Sequence, residues 1–299
     1  MPELPDILLY LHALRGRIVG HAVQKVRLAS PFLLRSIDPP LGAIEGRTIV
    51  NLHRLGKRVV MEADDDLFLV FHLMIAGRFR WKPQGTKIPG KVGLLAIDFD
   101  HGTLLMTEAG TRRQASLHIV SGRDALAQHD PGGVQVLEIT LPEFAEALQS
   151  DNHTLKRALT DPHVFSGIGN AYSDEILHAA RLSPFKQTQS LTDAEVRQLF
   201  EATQATLTLW IERLQQQAGD NFPEKVTAFH DEMAVHGKFG QPCPRCGSSV
   251  QRIVYASNEA NYCATCQTGG RLLADRSLSR LLREDWPKTV EELEKRRRG

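Results

Sequence analysis

Cysteine is scarce in this chain: four occur among 299 residues, all between Cys243 and Cys266. That excludes a scaffold of scattered disulfides and points instead to one metal site in a reducing compartment, so a cytoplasmic location is expected. Long apolar runs are absent too. No stretch reaches the ~18 consecutive apolar residues of a membrane-spanning helix. The N-terminus, with Glu3 and Asp6 among its first residues, lacks the charged-then-apolar order of a secretory signal. There is no excess of one charge, the net being +1, so bulk electrostatics give little support to binding a polyanion. The charge is uneven, however: residues 236–299 hold 12 Lys/Arg against 7 Asp/Glu. Such a basic module can bind phosphates or can be an ordinary solvated surface.

What remains is the composition of a soluble globular protein, 42% hydrophobic and 24% charged, long enough for two domains and a small third module. Ile7, Leu8, Tyr10, Leu11 and Leu14 recur at helical spacing and predict a helix over about Pro5 to Leu14. Short β-rich runs follow, from RIVGHAVQKVRLA to ASLHIV, with turn residues between them, a pattern suited to a β-sandwich or barrel. HDPGGVQ reads as a linker. Beyond it LPEFAEALQS, HTLKRALTD, AYSDEILHAARL and TDAEVRQLFEATQATLTLWIERLQQQAG read as helices, the last opened by a capping box of Thr192 and Glu195. The fold class expected is α+β and multidomain.

Cys243-Pro-Arg-Cys246 and Cys263-Ala-Thr-Cys266 are two CxxC pairs separated by 16 residues. Zinc takes four ligands in a tetrahedron, and each CxxC turn supplies two thiolates. The intervening SSVQRIVYASNEANY alternates as a hairpin would. One structural Zn2+ per chain is expected, with Cys243, Cys246, Cys263 and Cys266 filling every position and leaving none open for chemistry. A zinc ribbon alone does not imply a nucleic-acid partner.

The start, Met1-Pro2-Glu3-Leu4-Pro5-Asp6, carries a second signal. Removal of Met1 would make Pro2 a free secondary amine. An α-amino group titrates near 8 against roughly 10.4 for lysine, so more of it is neutral and nucleophilic at pH 7. Such an amine forms a Schiff base with an aldehyde-like carbon. At C1′ of a nucleoside, attack would expel the base, and the resulting iminium would acidify the C2′ proton and permit strand cleavage. Glu3 is placed to shuttle protons. The plainer reading is that many proteins begin Met-Pro.

In Phe165-Ser-Gly-Ile-Gly-Asn-Ala-Tyr-Ser-Asp-Glu-Ile-Leu177, Gly167, Gly169 and Asn170 separate two helical stretches. The glycines permit a sharp turn into a new helix whose free N–H donors can bind phosphate. A tight interhelical turn without a ligand has the same pattern.

MPELPD, GKRVVME around Lys57, SGIGNAYSDEIL and the paired CxxC module ending at Gln267, in this order, resemble the formamidopyrimidine-DNA glycosylase/endonuclease VIII family over roughly residues 1–267. The resemblance implies an N-terminal helix plus β-sandwich catalytic domain (1–132), a helix–two-turn–helix domain (133–235), a zinc-finger β-hairpin (236–269) and an extension (270–299). It implies a monomeric base-excision-repair glycosylase with abasic-site lyase activity, acting on double-stranded DNA with damaged bases or abasic sites, nucleoid-associated when bound, with the lesion flipped out between the domains. Pro2 would be the nucleophile, Glu3 the general acid/base, and Lys57 a phosphate contact assisting elimination. Lys156 and Asn170, the latter following Gly169, would hold the backbone beside the flipped nucleotide. Ile75 (or Met74) would act as a wedge, Arg112 would face the orphaned base and Arg113 would contact phosphate. Read from the residues alone, Lys57 is a strand lysine and Arg112–Arg113 an exposed basic pair.

The chain departs from the family pattern in several places. Asn258 stands where the zinc-finger hairpin presents an arginine, and a neutral hydrogen bond is about half as strong as a charge-assisted one. Gln114 replaces an aromatic after the two arginines, Asp6 a glutamate, and Lys91 is nearest to a phosphate-contacting histidine. GDNFPEKVTAFHDE is shorter than the loop that caps 8-oxoguanine, which implies a broader pocket and an endonuclease VIII-like preference for oxidised or ring-opened bases. The tail segment ADRSLSRLLREDW reads either as an amphipathic helix or as a solvated extension. These substitutions keep a second reading open: a lesion- or structure-specific DNA-binding protein of the same fold with weak or no catalysis.

Overall fold

A computed structural model of the protein describes residues 1–110, 112–255, 258–274 and 287–298. The chain divides into two compact units, Met1–Gly133 with Leu209–Ala228, and Val134–Thr208 with Phe229–Gly299. No helix among the described residues is long and apolar enough to cross a membrane.

The first unit opens with helix α1 (Leu4–Ile18), four residues longer at its C-terminal end than the sequence pattern predicts. Leu4, Ile7, Leu11, Leu14 and Ile18 are buried at helical spacing. That stripe packs on strands β2 (Ile49–Leu55) and β3 (Arg58–Ala63). Each such side chain contributes roughly 1.5–3 kcal/mol when fully buried.

Two four-stranded antiparallel sheets follow. One has the order β1 (Lys25–Leu28), β6 (Gly93–Phe99), β7 (Gly102–Glu108), β5 (Gly77–Lys82). The other runs β2, β3, β4 (Leu67–His72), β8 (Ser116–Ser121), and the short helix α2 (Arg123–Ala127) follows β8. β6 and β7 are buried along their whole length, on both faces of the sheet. The rings of Phe71 on β4 and Phe79 on β5 meet edge-on at 5.2 Å, joining the two sheets.

Residues 209–228 complete this unit. Phe222 lies against Tyr10, with ring centroids 6.0 Å apart and the Arg17 guanidinium over its face. Glu224 is held by Lys82 and Arg80, and Arg17 donates to the Asp220 carbonyl at 2.6 Å.

The second unit is helical: α3 (Leu141–Gln149), α4 (Leu155–Thr160), α5 (Asn170–Ala179) and the part of α6 (Asp193–Ala218) up to Thr208. The expected capping box is present. Glu195 N–H donates to Thr192 Oγ1 at 3.3 Å, and Thr192 N–H to Glu195 Oε2 at 3.0 Å. Phe144 and Phe165 stack at 4.9 Å and, with Phe200, form the helical core. A two-stranded hairpin, β9 (Gln251–Tyr255) and β10 (Asn258–Tyr262), follows at the cysteine module. Ile253 and Tyr262 on the hairpin pack with Leu272 and Leu273 and with Val290 and Leu293 of the final helix, Val290–Arg298. Within ADRSLSRLLREDW, residues 275–286 lie outside the described residues.

Candidate active site

Glu3 is the N-cap of α1, and its N–H donates to Asp6 Oδ2 at 2.8 Å. The shorter Asp6 therefore still reaches the residue beside Pro2. Pro2 is buried and Glu3 only 3% exposed. The half-buried amino group of Met1, beside them, has its pKa lowered from 8.0. Burial is the main cause. Arg78 and Lys57 lower it further, and Glu3 and Asp6 oppose the shift. Four side chains thus act electrostatically on one amine, and two of them, Lys57 and Arg78, come from β-hairpin positions remote in sequence.

Lys57 occupies the turn between β2 and β3, not the strand its sequence context implied. Leu55 pairs with Arg58, so Gly56-Lys57 is a two-residue loop. Gly56 at φ +59° supplies the positive φ that a hairpin turn with glycine first requires. His72, at the end of β4, pairs with Arg58 in register. Burial, then Arg58, Lys57 and His118, push its imidazole down to about 4, so it stays neutral beside Lys57. Sequence reasoning passed over His72 because a lone histidine closing an apolar strand carries no pattern. It passed over Arg78 for the same reason.

Ile75 is 64% exposed at the tip of the turn from β4 to β5. Gly77 N–H closes this turn on the Leu73 carbonyl at 2.9 Å, and a Cβ on Gly77 would stand 2.2 Å from that same oxygen, so only glycine fits. The Arg78 guanidinium donates to the carbonyls of Ile75 and Gly77 at 3.0 and 2.6 Å. Arg112, Arg113 and Gln114 are exposed on the loop from β7 to β8. Buried Glu108 holds the base of this loop by accepting from the N–H groups of Gln114 and Ala115 at 2.9 and 3.2 Å. Arg113 donates to the Lys91 carbonyl at 2.7 Å.

In the second unit, Gly167 has φ +89° and Gly169 is the N-cap of α5, so the glycines do bend the chain into a new helix with half-buried Asn170 as its first residue. Lys156 is not an exposed cation. Its ammonium lies beneath this helix start and donates to the Asn170 carbonyl at 2.6 Å and to Asp174 Oδ1 at 2.5 Å. Asp174 Oδ2 accepts from His236 Nδ1 at 2.8 Å and from the Asn261 backbone N–H at 3.1 Å. Glu175 accepts from the N–H groups of Ala234, Val235 and His236 at 2.7–2.9 Å. Burial raises its pKa against the pull of those bonds. Two adjacent acids in the otherwise apolar AYSDEIL therefore tie α5 to the base of the hairpin. Their burial between apolar neighbours was the available signal.

The four cysteine sulfurs lie within 4.8 Å of one another, with Cys246–Cys263 at 3.4 Å and Cys243–Cys266 at 4.0 Å. A zinc tetrahedron with Zn–S near 2.3 Å has edges of about 3.8 Å, so the donor set fits the ion. His178, kept neutral with a pKa of about 4 chiefly by burial, places Nε2 3.2 Å from Cys243 Sγ, where its N–H can support the thiolate. Asn258 opens β10 and pairs in register with Tyr255; residues 256–257 lie outside the described ones.

Three family models match in order: the formamidopyrimidine-DNA glycosylase N-terminal domain over residues 1–117, the glycosylase H2TH domain over 134–220, and the zinc finger found in FPG and IleRS over 240–269. The formamidopyrimidine-DNA glycosylase of Heliobacterium modesticaldum is 32% identical over 281 residues, 89% of this chain and 100% of that protein. The chain belongs to the formamidopyrimidine-DNA glycosylase family. A second such glycosylase, from Thermus thermophilus, is 30% identical over 90% of this chain and 100% of its own length. The solved Lactococcus lactis Fpg in complex with DNA containing an abasic site superposes with a TM-score of 0.79 at 25% identity, covering 89% of this chain and 99% of that one. The glycosylase zinc-finger model ends at 269, which leaves residues 270–299 beyond all three matched domains.

Proposed function

We propose that this protein is a base-excision-repair glycosylase and abasic-site lyase that uses the Pro2 amine, freed by removal of Met1, as its nucleophile on damaged double-stranded DNA. The observation that carries this reading is the chain's N-terminus: Pro2 and Glu3 are buried, and the half-buried Met1 amino group beside them has its basicity lowered chiefly by burial, with Arg78 and Lys57 adding to the shift, surroundings that a Pro2 amine freed there would share. A neutral amine is what nucleophilic attack needs at pH 7.

In this reading the Pro2 nitrogen forms a bond to C1′ as the bond to the base breaks, and the base leaves with the electron pair and a proton. Glu3 supplies and removes protons at the sugar. The C1′–O4′ bond then breaks as O4′ takes a proton from Glu3, which leaves the iminium; it acidifies C2′, whose proton is lost as the 3′ C–O bond breaks and the phosphate departs, with Lys57 beside that phosphate. Ile75, Arg112 and Arg113 fill and border the space that the extruded nucleotide leaves. The start of α5, with Gly169 and Asn170, binds backbone phosphate, and Lys156 fixes that helix start from below. Zinc bound by the four cysteines is structural and holds the hairpin that carries Asn258. The fastening of residues 220–224 to α1 and β5 leaves this segment ill suited to closing over a purine, which supports a preference for oxidised or ring-opened bases over 8-oxoguanine.

A panel of duplexes, each with one lesion, tests this. Excision of oxidised pyrimidines and ring-opened purines followed by strand cleavage is expected, with Glu3→Gln lowering the rate by about a hundredfold or more. Binding without cleavage of any duplex, including one with a preformed abasic site, would leave the DNA-binding reading instead.

A further inference from the structure

The first unit contains another group of metal-ligating side chains, remote from the amino terminus along α1. His21 follows that helix, and its backbone is fixed on both sides: its N–H donates to the Ile18 carbonyl and its carbonyl accepts from Ile49 N–H, each at 3.1 Å. Asp100 and His101 form the two-residue turn between β6 and β7, where Phe99 pairs with Gly102. The Trp81 indole packs on this turn so closely that a Cβ on Gly102 would meet it at 2.2 Å, and its ring lies 5.5 Å from that of His101.

The hydrogen bonding of His101 determines its tautomer. Nε2 lies 2.8 Å from the Arg17 carbonyl, one of the helix-end carbonyls that lack an intrahelical partner. A carbonyl only accepts, so Nε2 carries a hydrogen and Nδ1 is the nitrogen left to ligate a metal. His101 Nδ1 lies 2.5 Å from Asp100 Oδ1, and His21 Nδ1 stands 3.2 Å from the same oxygen. An aspartate carboxylate is anionic at neutral pH. Two imidazole nitrogens and a carboxylate oxygen thus converge, all within 4.8 Å. A divalent cation can take this position by displacing the ring protons that otherwise hydrogen-bond the carboxylate. An imidazole whose other N–H is fixed on a backbone carbonyl is the usual arrangement of a metal-ligating histidine.

We propose that His21, Asp100 and His101 bind a divalent transition ion of the class that favours imidazole with carboxylate, Zn2+ being the representative. With three protein ligands the site leaves coordination positions to water. It staples the β6–β7 turn to the C-terminal end of α1 and is separate from the cysteine site.

Cobalt titration of the full-length protein tests this, because the two sites differ in colour. The four-thiolate site gives an intense sulfur-to-metal charge-transfer band, and a nitrogen–oxygen site gives none. The expected result is two equivalents of Co2+ per chain, with the second lacking that band. His21→Asn and Asp100→Asn each should weaken the second site at least tenfold while leaving the thiolate band and cleavage of abasic DNA unchanged. A single equivalent of metal, or a second equivalent indifferent to both substitutions, would overturn the proposal and leave an imidazolium–carboxylate cluster.

Discussion

Lys156 and Asp174 form a buried ion pair, Nζ to Oδ1 at 2.5 Å, with side chains 7% and 0% exposed. Removing one partner of such a pair strands a charge away from water, which typically costs about 3–5 kcal/mol. Asp174→Asn should therefore destabilise the protein by about that much, since Lys156, His236 and Asn261 all lose their anionic acceptor. Lys156→Met should cost less, because His236 and Asn261 still serve the carboxylate. Urea unfolding of both variants and of the double variant checks this. The double loss should fall well short of the sum of the single losses, because the two groups share one interaction.

The depressed basicity of the amino group predicts a pH profile. Only the neutral amine attacks, so Schiff-base formation should rise with pH through the amine pKa and level off above it. Arg78 lowers that pKa, so Arg78→Gln should move the midpoint to higher pH, with the plateau rate retained. The rate of adduct formation with abasic DNA between pH 5 and 9 reads this directly.

Metal removal should unfold the hairpin locally. Four cysteine sulfurs in contact range are stable together as thiolates only around a cation, and metal in such modules stabilises the fold by on the order of 10 kcal/mol. Chelation, or Cys263→Ser, should release one zinc ion, expose the Tyr262 core to solvent and abolish tight DNA binding. Restored affinity on adding Zn2+ back to the chelated protein would show that the effect is reversible.

By the family resemblance, Asn258 falls at the position of a phosphate-contacting arginine. Asn258→Arg should tighten binding to abasic DNA and steepen the salt dependence of log K by roughly 0.9, the increment for one further neutralised phosphate. Binding isotherms at several salt concentrations measure that slope. Unchanged affinity and an unchanged ratio of cleavage products would remove this residue from the phosphate contacts.

Local features were readable from the residues. The CxxC pairs encode their own turns, the Thr192–Glu195 cap lies within one helical turn, and the change from strands to helices near Gly133 needed only periodicity. Features that depend on long-range packing were not. The turn position of Lys57 depends on the Leu55–Arg58 register. α1 runs on past Leu14 because β2 and β3 cover its last turn, burying Ile18. The burial of Lys156 and the clamp made by Asp174 and Glu175 depend on partners up to 87 positions away. None of these contacts leaves a short-range pattern, so adjacent acids in a helix read simply as part of a motif.

The central claim is that Pro2 becomes covalently joined to the damaged nucleotide. Borohydride reduction during reaction with abasic duplex DNA, followed by proteolysis and mass spectrometry, locates that bond. The adduct should lie on an N-terminal peptide that begins at Pro2, and Pro2→Gly should abolish or sharply reduce it. An adduct on a lysine, or none under any condition while DNA remains bound, would contradict the account.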